Sequence, residues 1–303
     1  QMHADRRVLG VSTSPASADS TDLSSITVVI PAHNESASIA ATLRGLREQT
    51  RTPDRVVVVA DNCTDDTVAI ARRHRVQVVE TVANDDKKAG ALNQALAELL
   101  PGLKHDDAIL VMDADTVLTR DFLFAAAEQL GPDPALGAVG GIFLGEPGAG
   151  LPGALQRNEY TRYSRDIARR KGRRVMVLTG TATLFRATAL QQVARERGIT
   201  FPGQPGQVYD TLALTEDNEI TLALKTLGWA MVSPQECRNT TELMPTMGDL
   251  WEQRLRWQRG ALENLRHYGV NRVTAAYLLQ QLGIGYGVVA FSLYIAMMLI
   301  TVV

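Results

Sequence analysis

A chain of 303 residues with 45% apolar content can form one large domain or two ordinary ones, with enough hydrophobic material for a sizeable core. A formal net charge of −2 supplies no overall basic field and excludes nucleic acid as the expected partner. The two cysteines, Cys63 and Cys237, form no metal-type cluster and read as reduced thiols of a cytosolic face, with a single disulfide as the alternative.

Gln1–Ser25 is rich in Ser, Thr, Ala and Asp and lacks an apolar segment, which predicts a mobile lead-in rather than a secretory signal. Ile26–Ile30 is dominated by β-branched residues and predicts a buried strand ended by Pro31. The polar loop Ala32-His33-Asn34-Glu35-Ser36 follows, with Ser36 or Ser38 as cap for a helix running to about Gln49. Val56–Ala60 is a second strand and ends in Asp61-Asn62-Cys63-Thr64-Asp65-Asp66. A helix over Thr67–His74 leads to a third strand, Val76–Glu80, and the loop Asn84–Lys88 opens a helix over Ala89–Leu100. Ile109–Met112 then breaks into Asp113-Ala114-Asp115. Two carboxylates at the end of a buried strand suit Mg²⁺ or Mn²⁺ carrying substrate phosphates, although a turn that caps the next helix has the same composition.

Regular alternation of strand and helix predicts a mostly parallel sheet with helices on both faces, so ligands gather at the C-terminal strand ends. The polar bursts at Asn34-Glu35, Asp61-Asn62 and Asp113/Asp115 all fall on that rim, where helix N-termini also attract anions. No G-x-G-x-x-G or G-x-x-x-x-G-K-[ST] follows the first strand, which argues against dinucleotide oxidoreductases and P-loop kinases.

Beyond Arg120, Gly131–Gly153 is rich in Gly and Pro and contains a strand expected at Val139–Leu144. A basic helix is expected from about Leu155 to Lys171, then a strand at Val175–Leu178 leading into Thr179-Gly180-Thr181-Ala182. Gly198–Gly206 reads as a mobile, turn-rich loop. Thr215 is the expected N-cap of a helix that begins with Glu216-Asp217. Over Met247–Tyr268, Leu250, Trp251, Leu255, Leu262 and Leu265 recur at helical spacing among arginines, as in a helix lying in a membrane interface; an ordinary surface helix packed on the sheet is the alternative. Gly283–Val303 carries no charge, and its 21 residues would span roughly 30 Å, a bilayer core. Arg254, Arg256, Arg259, Arg266 and Arg272 on its N-terminal flank place the preceding domain in the cytoplasm.

Taken together, the loops resemble the family-2, GT-A-fold inverting glycosyltransferases, and within them the membrane branch of cellulose, hyaluronan, chitin and poly-N-acetylglucosamine synthases. The resemblance runs from Ile26 to about Ala261. It rests on Val29-Ile30-Pro31-Ala32-His33-Asn34-Glu35, Asp61-Asn62, Lys88-Ala89-Gly90-Ala91-Leu92-Asn93, Asp113-Ala114-Asp115, Thr179-Gly180-Thr181, Thr215-Glu216-Asp217 and Gln253-Arg254-Leu255-Arg256-Trp257.

The resemblance implies an α/β GT-A catalytic domain over residues 26–246, an amphipathic interface region over 247–272 and a transmembrane segment over 273–303. It implies that Pro31, Ala32, His33, Asn34, Glu35 and Asp61 hold the base and ribose of a nucleotide, most often UDP. Lys88, Asp113, Arg254 and Arg256 would complete the nucleotide-sugar site. Asp115, with Asp113 beside it, would hold Mg²⁺ or Mn²⁺. Glu216 and Asp217 would be catalytic, with Asp217 the general base, and Thr179, Gly180, Thr181 and Trp257 would receive the acceptor.

The chemistry itself asks for these groups. A carboxylate deprotonates the incoming hydroxyl, while a metal ion and paired arginines neutralise the departing diphosphate. The implied activity is β-linked transfer of glucose or N-acetylglucosamine from a UDP-sugar to a glycan, a lipid or a small acceptor. A homo-oligomer is compatible with the sequence. The competing readings are a nucleotidyltransferase, which would release pyrophosphate, and a catalytically silent membrane scaffold that binds nucleotide or glycan.

Overall fold

The computed structural model of the protein describes residues 23–169 and 175–302. The expected lead-in, Gln1–Ser25, lies outside them except for its last three residues, of which Leu23 is buried and Ser25 already belongs to a strand. The first half alternates as predicted: β1 (Ser25–Ala32), α1 (Ile39–Arg47), β2 (Arg55–Ala60), α2 (Thr67–Arg73), β3 (Gln77–Glu80), α3 (Lys87–Leu99) and β4 (Asp107–Met112). After β5 (Val117–Leu118) come α4 (Phe122–Leu130), β6 (Leu136–Gly140), β7 (Ile142–Gly145), α5 (Gly150–Arg169), β8 (Ala182–Arg186) and α6 (Ala187–Glu196). The chain closes with α7 (Glu216–Thr226), β9 (Ala230–Val232), β10 (Arg238–Thr241), α8 (Met247–Tyr268) and α9 (Ala275–Val302).

Seven strands form the main sheet in the order β3-β2-β1-β4-β8-β6-β9, and only β8 runs against its neighbours. Alternate residues of the central strands feed two cores, as the period-2 geometry of a strand dictates. Val29, Val57, Val59, Ile109 and Val111 pack under α3, α6 and α7. Ile26, Val28, Ile30, Val58, Leu110 and Met112 pack under α1, α2 and α4. A small second sheet, β5-β10-β7, closes one end.

The structure corrects several expectations. Pro31 does not end β1, which runs on to pair Pro31 with Val59 and Ala32 with Ala60. Pairing of β1 with β4 has already stopped at Val29, so the missing N–H falls at the rim of the ladder. The strand expected over Val139–Leu144 breaks at Gly141 into β6 and β7, which belong to different sheets. A Cβ at Gly141 would lie 2.4 Å from Asn239 Nδ2, so the crossover needs a glycine. Val175–Leu178 is not a strand, because β8 occupies the slot between β4 and β6. The segment instead hangs on α7: Lys225 Nζ donates to the Val175 carbonyl at 2.7 Å, and Leu178 N donates to Thr221 Oγ1 at 2.9 Å.

The Gly198–Gly206 loop, expected to be mobile, is folded around the fully buried Arg197. That guanidinium makes a bidentate pair with Glu219 at 2.7 and 3.0 Å and donates to the carbonyls of Pro202, Gln207 and Val208. Such a buried pair is tolerable because every donor is used.

Helix α8 covers the expected range, Met247–Tyr268. Its Gly260, Asn264 and Leu265 are buried, whereas Trp251, Leu255 and Leu262 are exposed. Helix α9 contains a 27-residue stretch, Ala275–Thr301, long and apolar enough to cross a membrane; its large apolar side chains from Leu279 to Ile300 are exposed.

Candidate active site

The loops after β1 and β2 interlock at one end of the rim. Asn34 sits in the left-handed region at φ 57°, which asparagine tolerates, and its Oδ1 accepts from Thr64 N at 2.8 Å. Glu35 N donates to Thr67 Oγ1, Ser36 N to Asp65, and His33 Nδ1 lies 2.6 Å from the Asp61 carbonyl oxygen. Asp61, at the end of β2, is buried, and its Oδ1 accepts from Asn84 Nδ2 (2.8 Å), Thr81 Oγ1 (2.9 Å) and Asn62 Nδ2 (3.1 Å). Three donors on one oxygen hold the carboxylate still and leave Oδ2 available to a ligand. Pro31 and Ala32 are buried strand residues that form the wall beside it, while His33 and Asn34 are exposed.

The K-A-G-A-L-N stretch divides its labour along α3. Lys88 points into the rim. A Cβ at Gly90 would lie 2.0 Å from Asn84 Oδ1, so only glycine lets the Asn84 loop close on Asp61. Asn93 points inward, accepting from Val208 N and Tyr209 N and donating to the Tyr209 carbonyl at 2.8 Å. It is a structural post for the 208–209 segment rather than a ligand-binding group.

Lys88 is the centre of the site. Its Nζ lies 2.6 Å from Asp113 Oδ1 and 2.7 Å from Glu216 Oε1, tying the end of β4 to the start of α7. Burial opposes the charge on Lys88, but the two carboxylates outweigh it and raise its proton affinity. Burial opposes ionisation of Glu216 as well; here Lys88 prevails, with a smaller contribution from Arg256, and the carboxyl stays ionised.

Its neighbour Asp217 has no cation of its own. Burial first, and then the negative charge of Glu216, push it up to about 6, despite its place in the first turn of a helix. Asp217 Oδ1 accepts from Asn218 N at 2.7 Å, while Oδ2 faces Gly180. A Cβ on Gly180 would lie 3.6 Å from that oxygen and 3.5 Å from Lys88 Nζ, so the bare glycine keeps the face of the carboxylate open. Lys88, Glu216, Asp217, Thr179, Gly180 and Tyr209 line a small cavity here, with room for about one water at roughly 20 Å³.

Thr179, expected at the acceptor site, is buried with its hydroxyl within 3.3 Å of the Gly141 carbonyl and 3.4 Å of the Ala182 carbonyl. It shapes the loop and presents no free group. Thr181 joins the loop to the acidic pair: Asp113 N donates to the Thr181 carbonyl at 3.0 Å.

Asp115 stands apart from Lys88. Burial pushes it up to about 7, with further contributions from Asp113, Glu35 and Glu242, and the hydrogen bond from Thr116 opposes them. A half-buried carboxylate in a negative field without a cation suits a divalent ion. Among the described residues no group of three or more His, Cys, Asp or Glu side chains could hold a metal by itself, so the remaining ligands would have to come from a substrate. Asp113 is engaged by Lys88 and is the weaker candidate ligand.

The two arginines differ. Arg256 is exposed, and its charge is felt at Glu216. Arg254 is turned toward α5: it pairs with Glu159 at 2.6 Å and lies over the Trp257 ring at 4.3 Å. Trp257 is partly exposed on the same helix. Both cysteines are free. Thr215 does precede α7, but its side chain makes no cap; the hydroxyl instead receives Asn264 Nδ2 from α8. Asn84, Tyr209, Glu159 and Glu242 were not singled out by the sequence. Only Gly90, as a glycine inside a helix, carried an indirect sign of Asn84.

Comparison with known proteins gives this arrangement a context. Residues 24–260 match the family model described as "Glycosyltransferase like family 2". The poly-beta-1,6-N-acetyl-D-glucosamine synthase of Staphylococcus aureus (strain COL) is 26% identical over 250 residues, covering 80% of this chain and 56% of the relative. The chain therefore spans a little over half the length of that relative. Among solved structures, the mannosyltransferase PcManGT of Pyrobaculum calidifontis, in complex with GDP-Man and Mn²⁺, superposes with a TM-score of 0.63 at 22% identity, covering 84% of this chain and 68% of that one. TarS of S. aureus in complex with UDP-GlcNAc superposes at 0.55 with 16% identity, covering 84% and 71%. At these identities the superpositions speak for the fold, which is the GT-A arrangement.

Proposed function

The chain belongs to glycosyltransferase family 2, and from that membership and the geometry of the rim we propose that it transfers glucose or N-acetylglucosamine from a UDP-sugar to a glycan acceptor, with inversion to a β-linkage. The observation that carries the reading is the Lys88 bridge, which places a cation-binding end, Asp113 and Asp115, beside a basic carboxylate, Asp217, across one open glycine. Inversion requires one displacement with one base, and Asp217 has the open oxygen and the raised proton affinity that a general base needs.

In this reading Asp61, with His33, Asn34 and Glu35 around it, receives the nucleoside. Asp115, with Asp113 behind it, would hold Mg²⁺ or Mn²⁺ together with the diphosphate, and that ion would supply the charge that neutralises the leaving group. Arg256, and Arg254 once released from Glu159, add bidentate contacts to the same phosphates. Asp217 takes the proton from the acceptor hydroxyl on the Gly180 side, and Glu216 keeps Lys88 in place. Trp257 offers its ring to the acceptor sugar. The relative named as a poly-N-acetylglucosamine synthase, and the TarS structure in complex with UDP-GlcNAc, favour that sugar.

Residues 26–246 act as the catalytic domain. Helix α8 lies in the interface with Trp251, Leu255 and Leu262 against lipid, and α9 spans the membrane, with the basic flank on the cytoplasmic side.

The decisive experiment is Asp217→Asn. Loss of UDP release with UDP-N-acetylglucosamine as donor, alongside unchanged UDP binding by calorimetry, is the expected result. Retained turnover would remove Asp217 as the base.

A further inference from the structure

Helix α8 does more than carry two arginines. Its buried stripe, Gly260, Asn264 and Leu265, with the partly buried Tyr268, is packed against α7, the helix that begins with Glu216-Asp217. Asn264 is the polar centre of that contact and is almost fully buried. Its Nδ2 donates to Asn218 Oδ1 at 3.0 Å and lies 3.3 Å from both the Thr215 carbonyl and Thr215 Oγ1. The carbonyl can only accept, which fixes the amide with its nitrogen toward α7.

Thr215 and Asn218 are the residues immediately before and after Glu216-Asp217. One side chain from another helix thus brackets the carboxylate pair. The rest of the stripe keeps the bracket at fixed distance. Gly260 lies so close to Thr215 that a Cβ would come within 2.5 Å of its Oγ1 and 2.7 Å of its Cγ2. Four residues beyond Asn264, Tyr268 Oη donates to Glu219 Oε1 at 2.5 Å, the carboxylate already clamped by Arg197.

We propose that Asn264 is the positioning residue of the catalytic carboxylates, pinning Thr215 and Asn218 so that the seating of α8 sets the direction in which Asp217 faces the acceptor. The proposal rests on Asp217 being the base. Asp217 is not touched by Asn264; it is carried by the backbone that Asn264 holds. Arg256 sits about two helical turns before Asn264 on the same rigid rod, so the helix that offers charge to the diphosphate also fixes the base that deprotonates the hydroxyl attacking from the other side. A displacement of about 1 Å at a reacting group can cost about a hundredfold in rate. Loss of the Asn264 bracket alone, with α8 and its arginines still seated, should therefore lower turnover without weakening donor binding.

The test uses the full chain in detergent or vesicles with two variants. Asn264→Leu conserves volume and cannot donate, and Gly260→Ala drives α8 away from Thr215 without removing a polar group. UDP release from UDP-N-acetylglucosamine is expressed per UDP-binding site counted by calorimetry, so misfolded protein does not enter the rate. The expected result is kcat reduced about 10- to 100-fold in both, with donor KM within about threefold in Asn264→Leu and raised in Gly260→Ala, where the displaced helix carries Arg256 with it. Wild-type kcat per site in both variants, or a rise in KM with kcat unchanged, would overturn the proposal. Asp217→Asn measured beside them separates the layers: inactive Asp217→Asn with normal Asn264→Leu sinks only the positioning role, whereas active Asp217→Asn sinks the base assignment beneath it.

Discussion

Replacing Lys88 with Met removes one charge at nearly constant shape and should move the acid limb of the rate profile. The Gly180 contact distances of 3.5 Å to Lys88 Nζ and 3.6 Å to Asp217 Oδ2 put the ammonium and the carboxylate no more than about 7 Å apart. At an effective dielectric constant of about 20, that separation is worth about 2.4 kcal/mol, or roughly 1.7 pH units. The sign follows from the charges: Lys88 favours the ionised form of Asp217 and of Glu216, so its loss makes both hold their protons to higher pH.

The wild-type enzyme, with Asp217 at about 6, should lose kcat/KM tenfold per unit below that pH. In Lys88→Met the limb should move to between about pH 7 and 8, and it belongs to the Glu216/Asp217 pair rather than to either carboxyl. Removing the cation also leaves Asp113 and Glu216 unpaired at 30% and 20% side-chain exposure, a loss of about 2 kcal/mol in stability, below the range for fully buried pairs. The assay is UDP release at subsaturating donor from pH 5 to 9, with folding checked by thermal melting at each pH. A limb that stays within about 0.3 unit of wild type would show that the titrating group lies outside the field of Lys88, and the reasoning would fail.

Three further outcomes are expected. Asp115→Asn should cost at least about a thousandfold in turnover and raise the Mg²⁺ or Mn²⁺ concentration giving half-maximal rate; a variant with wild-type metal dependence would exclude Asp115 as ligand. Gly90→Ala should expel Asn84 from Asp61 and weaken UDP binding about tenfold by calorimetry, the worth of one charged hydrogen bond, with saturated turnover much less affected. Glu159→Gln should free Arg254 and lower donor KM by up to about fivefold, the most an exposed pair of this kind can withhold; an unchanged KM would mean that Arg254 does not move to the diphosphate.

The parallel half of the sheet was legible because Ile26–Ile30, Val56–Ala60 and Ile109–Met112 are buried on both faces and therefore read as unbroken apolar runs. The rim was legible for a related reason, since every polar burst terminates one of those runs. The stretches on either side of α5, residues 139–145 and 175–185, were not. Val175–Leu178 is as apolar as a strand, yet its polar groups are satisfied by Lys225 and Thr221, while β8 carries threonine and arginine at positions the pattern would call polar. Thr183 is buried because its hydroxyl finds the Thr179 carbonyl, and Arg186 because its guanidinium reaches the carbonyls of Leu136, Leu130 and Asp133. Partners remote in sequence decide those burials, and no local period records them. The roles of Asn84 and Asn264 were hidden for the same reason, each acting on residues brought close only by the fold.

The antiparallel strand of the main sheet has a consequence for redesign. Since β8 runs against β4, the Asp113 N to Thr181 O hydrogen bond continues that ladder, and the Thr179-Gly180-Thr181 turn is held in register with the acidic pair. A residue inserted or deleted in this turn would shift the pairing of the whole strand and turn Leu184 and Phe185 to the wrong cores. Changes of sugar or acceptor preference should therefore be sought by exchanging side chains around the turn, and grafting a loop of different length from another transferase should fail at the level of the sheet.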